Sequence, residues 1–206
     1  MDIRGERAGM RFKILGVKFY ISVPFCIMLA FLLIVDQTGL MTESIFAMLV
    51  HEAGHIAMMR ILRCLPREVD FGFGGITICG TQFCTFKESA KIALSGPLAN
   101  FIVFVLLYGL GSILKDGYMM AFSVVQLLEG AINLFPVKGL DGGTVLSVLI
   151  NSMNIRYKRF IMNAVSTVTA FAIFVGGMAV AVKNVSNPSL LLLGIYLIIL
   201  NVCRRD

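Results

Sequence analysis

Charge is scarce in this chain. Only 15% of its 206 residues are charged, against roughly 25% in a typical soluble domain. No stretch of about 50 residues has the mixed composition that a separate soluble domain needs. Histidine is scarcer still, with two residues, so a metal centre built of imidazoles alone is excluded. The five cysteines, Cys26, Cys64, Cys79, Cys84 and Cys203, form no C-x-x-C pair and no framework spacing, which excludes a disulfide scaffold and a thiolate cluster. They read as small buried hydrophobes, although Cys79 and Cys84 could face each other across a hairpin. Internal repeats and low-complexity linkers are absent too, so residues 1–206 are expected to form one unit.

What the chain has in quantity is apolar sequence: 58% hydrophobic residues and a mean hydropathy of +0.87. Six apolar segments recur, Phe19–Val35, Leu40–Leu62, Ile92–Leu114, Met119–Phe135 with a continuation Leu140–Met153, Phe160–Val182 and Ser189–Val202. Each is near the roughly 20 residues that cross a bilayer, the first and last being short. The expected fold is an all-α polytopic membrane protein of about six transmembrane helices with a small re-entrant β-hairpin. Its place is a bacterial-type cell membrane, with the lipid bilayer as its surroundings. With the N-terminus in the cytoplasm, fifteen of the 18 basic residues fall on the cytoplasmic side. Lys115 and Lys183 fall outside and Lys138 lies at an undecided depth. This is a positive-inside pattern with both termini cytoplasmic. The formal charge of +6 is therefore a topology signal, and no basic, aromatic surface stands apart to bind nucleic acid. The opening 35 residues lack a small-residue cleavage site and read as a retained span behind a cytoplasmic tail over 1–18. Residues 1–9 are polar and expected to be disordered, and Met10 could serve as the start.

Three places break the helical rhythm. The stretch 71–91, FGFGGITICGTQFCTFKESAK, reads as a hairpin of Ile76–Cys79 against Gln82–Phe86. Its apolar content suggests that it dips into the membrane, where non-helical backbone needs protein or a wet cavity beside it. The stretch SGPLAN, residues 95–100, places Gly96 and Pro97 where they loosen a helix and allow close packing. It also places Asn100 where a buried amide needs a partner. The stretch NLFPVKGLDGG, residues 133–143, interrupts an apolar run, and Asp141 is a good N-cap type for the helix that resumes. A discontinuous helix at such depth usually lines a site.

The chemistry lies in the second segment. There AMLVHEAGHIAMM, residues 47–59, sets three ionisable groups in an apolar span, each disfavoured by a few kcal/mol (~3) unless satisfied. His51 and His55 are one helical turn apart and can share one metal ion. Glu52 lies about 100° round, beside the ion, where a general base acts on water. Catalytic zinc takes three protein ligands and leaves one position open. With both histidines used, the third ligand must be an acid or a thiolate. Glu129 and Asp141 are the acids at plausible depth. Asp141, in the glycine-rich break, is favoured, and Glu129 reads as a protonated or hydrogen-bonded acid.

HEAGH in one span, then SGPLAN, then NLFPVKGLDGG together resemble the site-2 protease family of intramembrane zinc metalloproteases (peptidase family M50). The six-span layout and the opening MRFKILGVKFYIS most resemble its sporulation-type branch, which processes a membrane-tethered sigma-factor precursor. The resemblance implies one zinc ion on His51, His55 and Asp141, with Glu52 as the catalytic acid/base. It implies Asn133 at the active site near the substrate, with Asn100 in support. It also implies a re-entrant substrate-binding loop over 71–88 that includes Gly75 and Ile76. The implied partners are a transmembrane or membrane-associated protein substrate and a regulatory membrane protein. Two departures stand out. No PDZ or CBS domain fits in this chain, and the family's P-L-D-G-G-R is here G-L-D-G-G-T, with Gly139 and Thr144. The rival reading is a non-proteolytic metal-binding membrane protein or transporter, although transport usually needs acids along both access routes and few are present.

Overall fold

The computed structural model describes residues 9–14, 17–36, 39–66, 68–72, 75–79, 84–153, 156–183 and 189–203. It is mostly helical. Four strands and seven helices follow in the order β1 Gly9–Ile14, β2 Val17–Ser22, α1 Val23–Val35, α2 Leu40–Ile61, β3 Glu68–Gly72, β4 Gly75–Cys79, α3 Phe86–Leu114, α4 Gly117–Asn133, α5 Asp141–Ser152, α6 Lys158–Lys183 and α7 Ser189–Cys203.

The sheet corrects three expectations. It has four strands in the order β1-β2-β3-β4, where a lone hairpin was expected. The tail over 1–18 and the start of the first apolar segment supply two of them: Phe19–Ser22 lies in β2, so the first helix opens at Val23. The local reason is period-two alternation in V-K-F-Y-I-S, which suits a half-buried strand. Phe12 pairs with Phe19 across β1 and β2, their rings stacked at 5.3 Å, and Arg11 lies 5.3 Å over the ring of its partner Tyr20. Such cross-strand pairs stabilise a sheet. β2 then runs parallel to β3, with Tyr20 beside Asp70.

The hairpin is displaced as well. β4 pairs with β3, upstream of it, with Phe71 opposite Ile76 and Gly72 opposite Gly75. Of the expected arm Gln82–Phe86, the described residues Cys84 and Thr85 are not in a strand. Residues 82 and 83 lie outside the described residues, and Phe86 opens α3. Thr85 and Glu88 explain this. The Thr85 hydroxyl accepts from the Glu88 N–H, and the Glu88 carboxylate accepts from the Thr85 N–H at 2.7 Å. That capping box fixes a helix start where a strand was read.

α3 runs unbroken through Pro97, so the proline does not end the helix. α3 packs against α2, α4 and α5, while α6 packs against α7 and touches α5. Among the described residues, two helices, Phe86–Leu114 and Lys158–Ala179, are by themselves long and apolar enough to cross a membrane. The break after α4 is real. Gly139 adopts φ +98, a backbone region that favours glycine. Val137 is fully buried against Ala170 of α6 and Leu197 of α7. The Lys138 N–H donates to Ser166 Oγ at 3.0 Å, and Ser166 in turn donates to Asn201 Oδ1 at 2.8 Å. The segment between α4 and α5 is thus pinned to the α6–α7 pair, and Asp141 follows directly from it.

Candidate metal centre

His51 and His55 lie one turn apart on α2, both buried. Their Nε2 atoms are 3.0 Å apart, and the rings meet edge to face at 86°. Asp141 Oδ2 is 2.9 Å from His51 Nε2 and 3.2 Å from His55 Nε2. The expected N-cap role of Asp141 is not seen. Asp141 is the first residue of α5, Leu140 stands at the cap without a side-chain bond, and the carboxylate faces the histidines. Among the described residues, His51, His55 and Asp141 form the one group of three or more acids, cysteines or histidines whose donor atoms converge, all within 4.8 Å of one another.

The outer bonds of the imidazoles decide what this convergence means. His51 Nδ1 is 3.2 Å from Asn100 Oδ1. The amide end of Asn100 is already committed, donating to the Ala47 carbonyl and to Gln126 Oε1, both at 3.1 Å. Asn100 therefore presents only its oxygen, and His51 must donate from Nδ1. His55 Nδ1 lies 2.8 Å from the Ile92 carbonyl, an acceptor only, so it donates as well. Each neutral ring then carries a lone pair on Nε2. Two nitrogen lone pairs and a carboxylate oxygen face one another at about 3 Å, and Asp141 Oδ2 is buried without a hydrogen bond. Such an array is repulsive until a cation enters it, and the outer bonds are of the kind that orient metal-binding histidines.

Gly96 keeps the space open. A Cβ there would lie 2.5 Å from His55 Nε2 and 2.7 Å from His51 Nε2. The sequence suggests a packing role for Gly96; its close approach to both Nε2 atoms is the stronger reason for glycine. Gly54 has the packing role, since a Cβ on it would lie 2.6 Å from the Ser95 carbonyl, where α2 crosses α3. The donor set, two nitrogens and one carboxylate oxygen, fits one zinc ion with a position left for water.

The other expected residues are distributed around this point. Glu52 lies half-buried on α2 within electrostatic reach of His51, His55 and Asp141. Asn133 donates to Glu129, to its carbonyl at 3.1 Å and to its Oε1 at 3.2 Å, so Glu129 is a hydrogen-bonded acid outside the converging group. Gly75 and Ile76 open β4, and none of the described bonds that build the centre comes from them. Gln126 was missed. It is fully buried on α4 and holds the amide that orients His51. A glutamine in an apolar segment was the visible signal, of the same kind that singled out Asn100.

No protein-family model matches the chain. Zinc metalloprotease MJ0392 of Methanocaldococcus jannaschii is 23% identical over 156 residues, covering 68% of this chain and 44% of that protein. Rip2 of Mycolicibacterium smegmatis is 31% identical over 85 residues, 38% of this chain and 33% of that protein. The chain thus spans less than half the length of the curated relatives it matches. The solved site-2 protease from Methanocaldococcus jannaschii superposes with a TM-score of 0.65 over 97% of this chain and 96% of that one, at 18% identity. The chain thus shares the fold of that site-2 protease, and its converging His51, His55 and Asp141 accompany a partial sequence likeness to zinc metalloproteases.

Proposed function

We propose that the chain is an intramembrane zinc metalloprotease, hydrolysing peptide bonds of membrane-embedded or membrane-tethered segments. One observation carries this reading: the Nε2 atoms of two buried histidines and a buried carboxylate oxygen converge at 2.9–3.2 Å. His51, His55 and Asp141 would hold the ion. Bound zinc supplies Lewis acidity, which acidifies water and polarises a carbonyl.

The remaining steps belong to the chain's own residues. Asn100 and the Ile92 carbonyl hold the Nδ1 edges of the two imidazoles, so both rings are oriented with Nε2 toward the centre. Glu52, beside the centre and not part of it, accepts a proton from the attacking water and returns it to the leaving amine nitrogen. Asn133, at the end of α4, is placed by resemblance near the substrate carbonyl, where an amide donor stabilises developing negative charge. The edge strand β4, with Gly75 and Ile76, offers backbone groups to which an unwound substrate could add as a strand. Substrates with helix-weakening residues near the cut would suit such a site.

In this reading the chain crosses the membrane about six times with both termini cytoplasmic, as its Lys and Arg distribution favours. Likeness to the sporulation-type branch suggests a sigma-factor precursor or an anti-sigma factor as the substrate class, with a regulatory membrane protein controlling access. The deciding experiment is Glu52→Gln in the full chain, reconstituted with a membrane-tethered reporter. A protease keeps its zinc and loses cleavage by at least about 100-fold, the lower end for a lost acid/base. Undiminished function in that variant would instead point to a metal transporter or a non-catalytic scaffold.

A further inference from the structure

Over its last two turns α4 carries three polar side chains among apolar ones: Gln126, Glu129 and Asn133. Their spacing, i, i+3 and i+7, sets them along one face of the helix. Gln126 begins the row and holds Asn100, which meets His51. Glu129 comes next, half-buried, within electrostatic reach of His51 and of Glu52. Asn133, also half-buried, ends both the row and the helix. This face of α4 is therefore turned toward α2 and the metal centre. Glu129 is an acid beside a hydrolytic centre that neither joins the converging group nor makes any of the described bonds that orient the histidines.

The bonds of Asn133 show what such an acid can do. Asn133 Nδ2 donates to the Glu129 carbonyl at 3.1 Å and to Glu129 Oε1 at 3.2 Å. A backbone carbonyl only accepts, so the nitrogen end of the amide must face Glu129, and the side chain has one way round. The amide nitrogen carries two N–H groups, and Glu129 offers an acceptor for each. Both bonds lie at the long end of the usual range, about 2.7–3.2 Å. Bonds of this length hold a group in place and yield an N–H to a stronger acceptor. The oxygen of a substrate carbonyl becomes such an acceptor as it gains negative charge in the transition state. An amide left loose would spend its N–H groups on the uncharged carbonyl, which tightens binding without raising the rate.

We propose that Glu129 is a positioning residue for the cleavage reaction, holding the Asn133 amide by its nitrogen so that one N–H passes to the developing oxyanion. Glu129 acts here as a placed acceptor, and its charge is not required. Proton transfer, the rival use for an acid at this position, needs a group that ionises. The proposal rests on the proteolytic reading given above and on the place of Asn133 beside the substrate.

Two measurements on the full, zinc-loaded chain in detergent test it. The first is independent of proteolysis. With asparagine labelled by ¹⁵N, the Asn133 side-chain signal is identified by its loss in Asn133→Ala. Its N–H groups should exchange with water about fivefold faster in Glu129→Leu than in the parent, the worth of one hydrogen bond, and Glu129→Gln should match the parent. The second is cleavage of a membrane-tethered reporter. Glu129→Leu should lower kcat about tenfold with KM nearly unchanged. Glu129→Gln keeps an acceptor oxygen in place and should stay near the parent. Glu129→Asp keeps the charge but withdraws the oxygen, and should fall with Glu129→Leu. In an Asn133→Ala background, Glu129→Leu should cost nothing further, because the two residues act as one unit. Zinc content should be unchanged throughout. Equal exchange in the parent and Glu129→Leu overturns the proposal, as do losses that multiply in the double variant. Activity retained by Glu129→Asp and lost by Glu129→Gln also overturns it, in favour of proton transfer. A parent that cleaves no reporter counts against the proteolytic reading instead, and the exchange rates still decide whether Glu129 holds the amide.

Discussion

Two buried polar networks among the described residues differ in one respect. Between α6 and α7, Ser166, Asn201, Thr167 and the Lys138 N–H form a chain of bonds in which each named donor meets an acceptor at 2.8–3.0 Å. Between α2, α3, α4 and α5, Gln126, Asn100, His51 and His55 form a chain just as ordered at its outer end. At its inner end it leaves three acceptor atoms facing one another. The closed network holds a segment in place; the open one asks for an ion. Satisfied polarity specifies structure, and polarity left open at a point the fold has rigidly defined marks function.

Gly96→Ala should break the comparison most severely. Its methyl group would collide with both Nε2 atoms. Zinc affinity, measured by chelator competition, should therefore fall by more than the about 100-fold that outer partners usually account for. Thermal unfolding of the variant should still be cooperative, because α3 gains helix propensity. Asn100→Ala comes next. His51 would lose its fixed tautomer, and zinc affinity should drop about 10- to 100-fold. Ser166→Ala should have the smallest effect on the centre and a plain effect on the fold. It leaves the Asn201 oxygen and the Lys138 N–H without their partner, at about 1–3 kcal/mol. That loss should appear in the midpoint of thermal unfolding in detergent, with zinc content unchanged. If Ser166→Ala stripped zinc as Gly96→Ala does, the division between closed and open networks would fail.

The centre was more legible in the sequence than the sheet was. His51 and His55 are four apart on one helix, and helical geometry fixes their relation without reference to the rest of the chain. Asp141 was legible because glycines and a proline mark the interruption before α5. Gln126 was visible as a polar residue in an apolar run, yet its partner is settled only by how α3 meets α4. The sheet depends on pairings between segments far apart in the chain, which periodicity cannot supply. Phe19–Ser22 could be read as strand or helix, as short apolar runs often can, and the parallel contact with β3 decided the matter. At the end of the expected second arm, the capping pair Thr85 and Glu88 starts a helix, a signal that strand alternation masks.

The parallel ladder of β2 and β3 has a consequence for how the molecule assembles. Tyr20 and Asp70 are neighbours in it, and both α1 and α2 lie between them in the chain. While the chain is being synthesised, β1 and β2 can zip together early, but their joint edge must wait until both intervening helices have formed and the next strand has emerged. Closing so long a loop comes late. The helix that carries both histidines is thereby enclosed in a ring of chain that shuts only after the helix is in place.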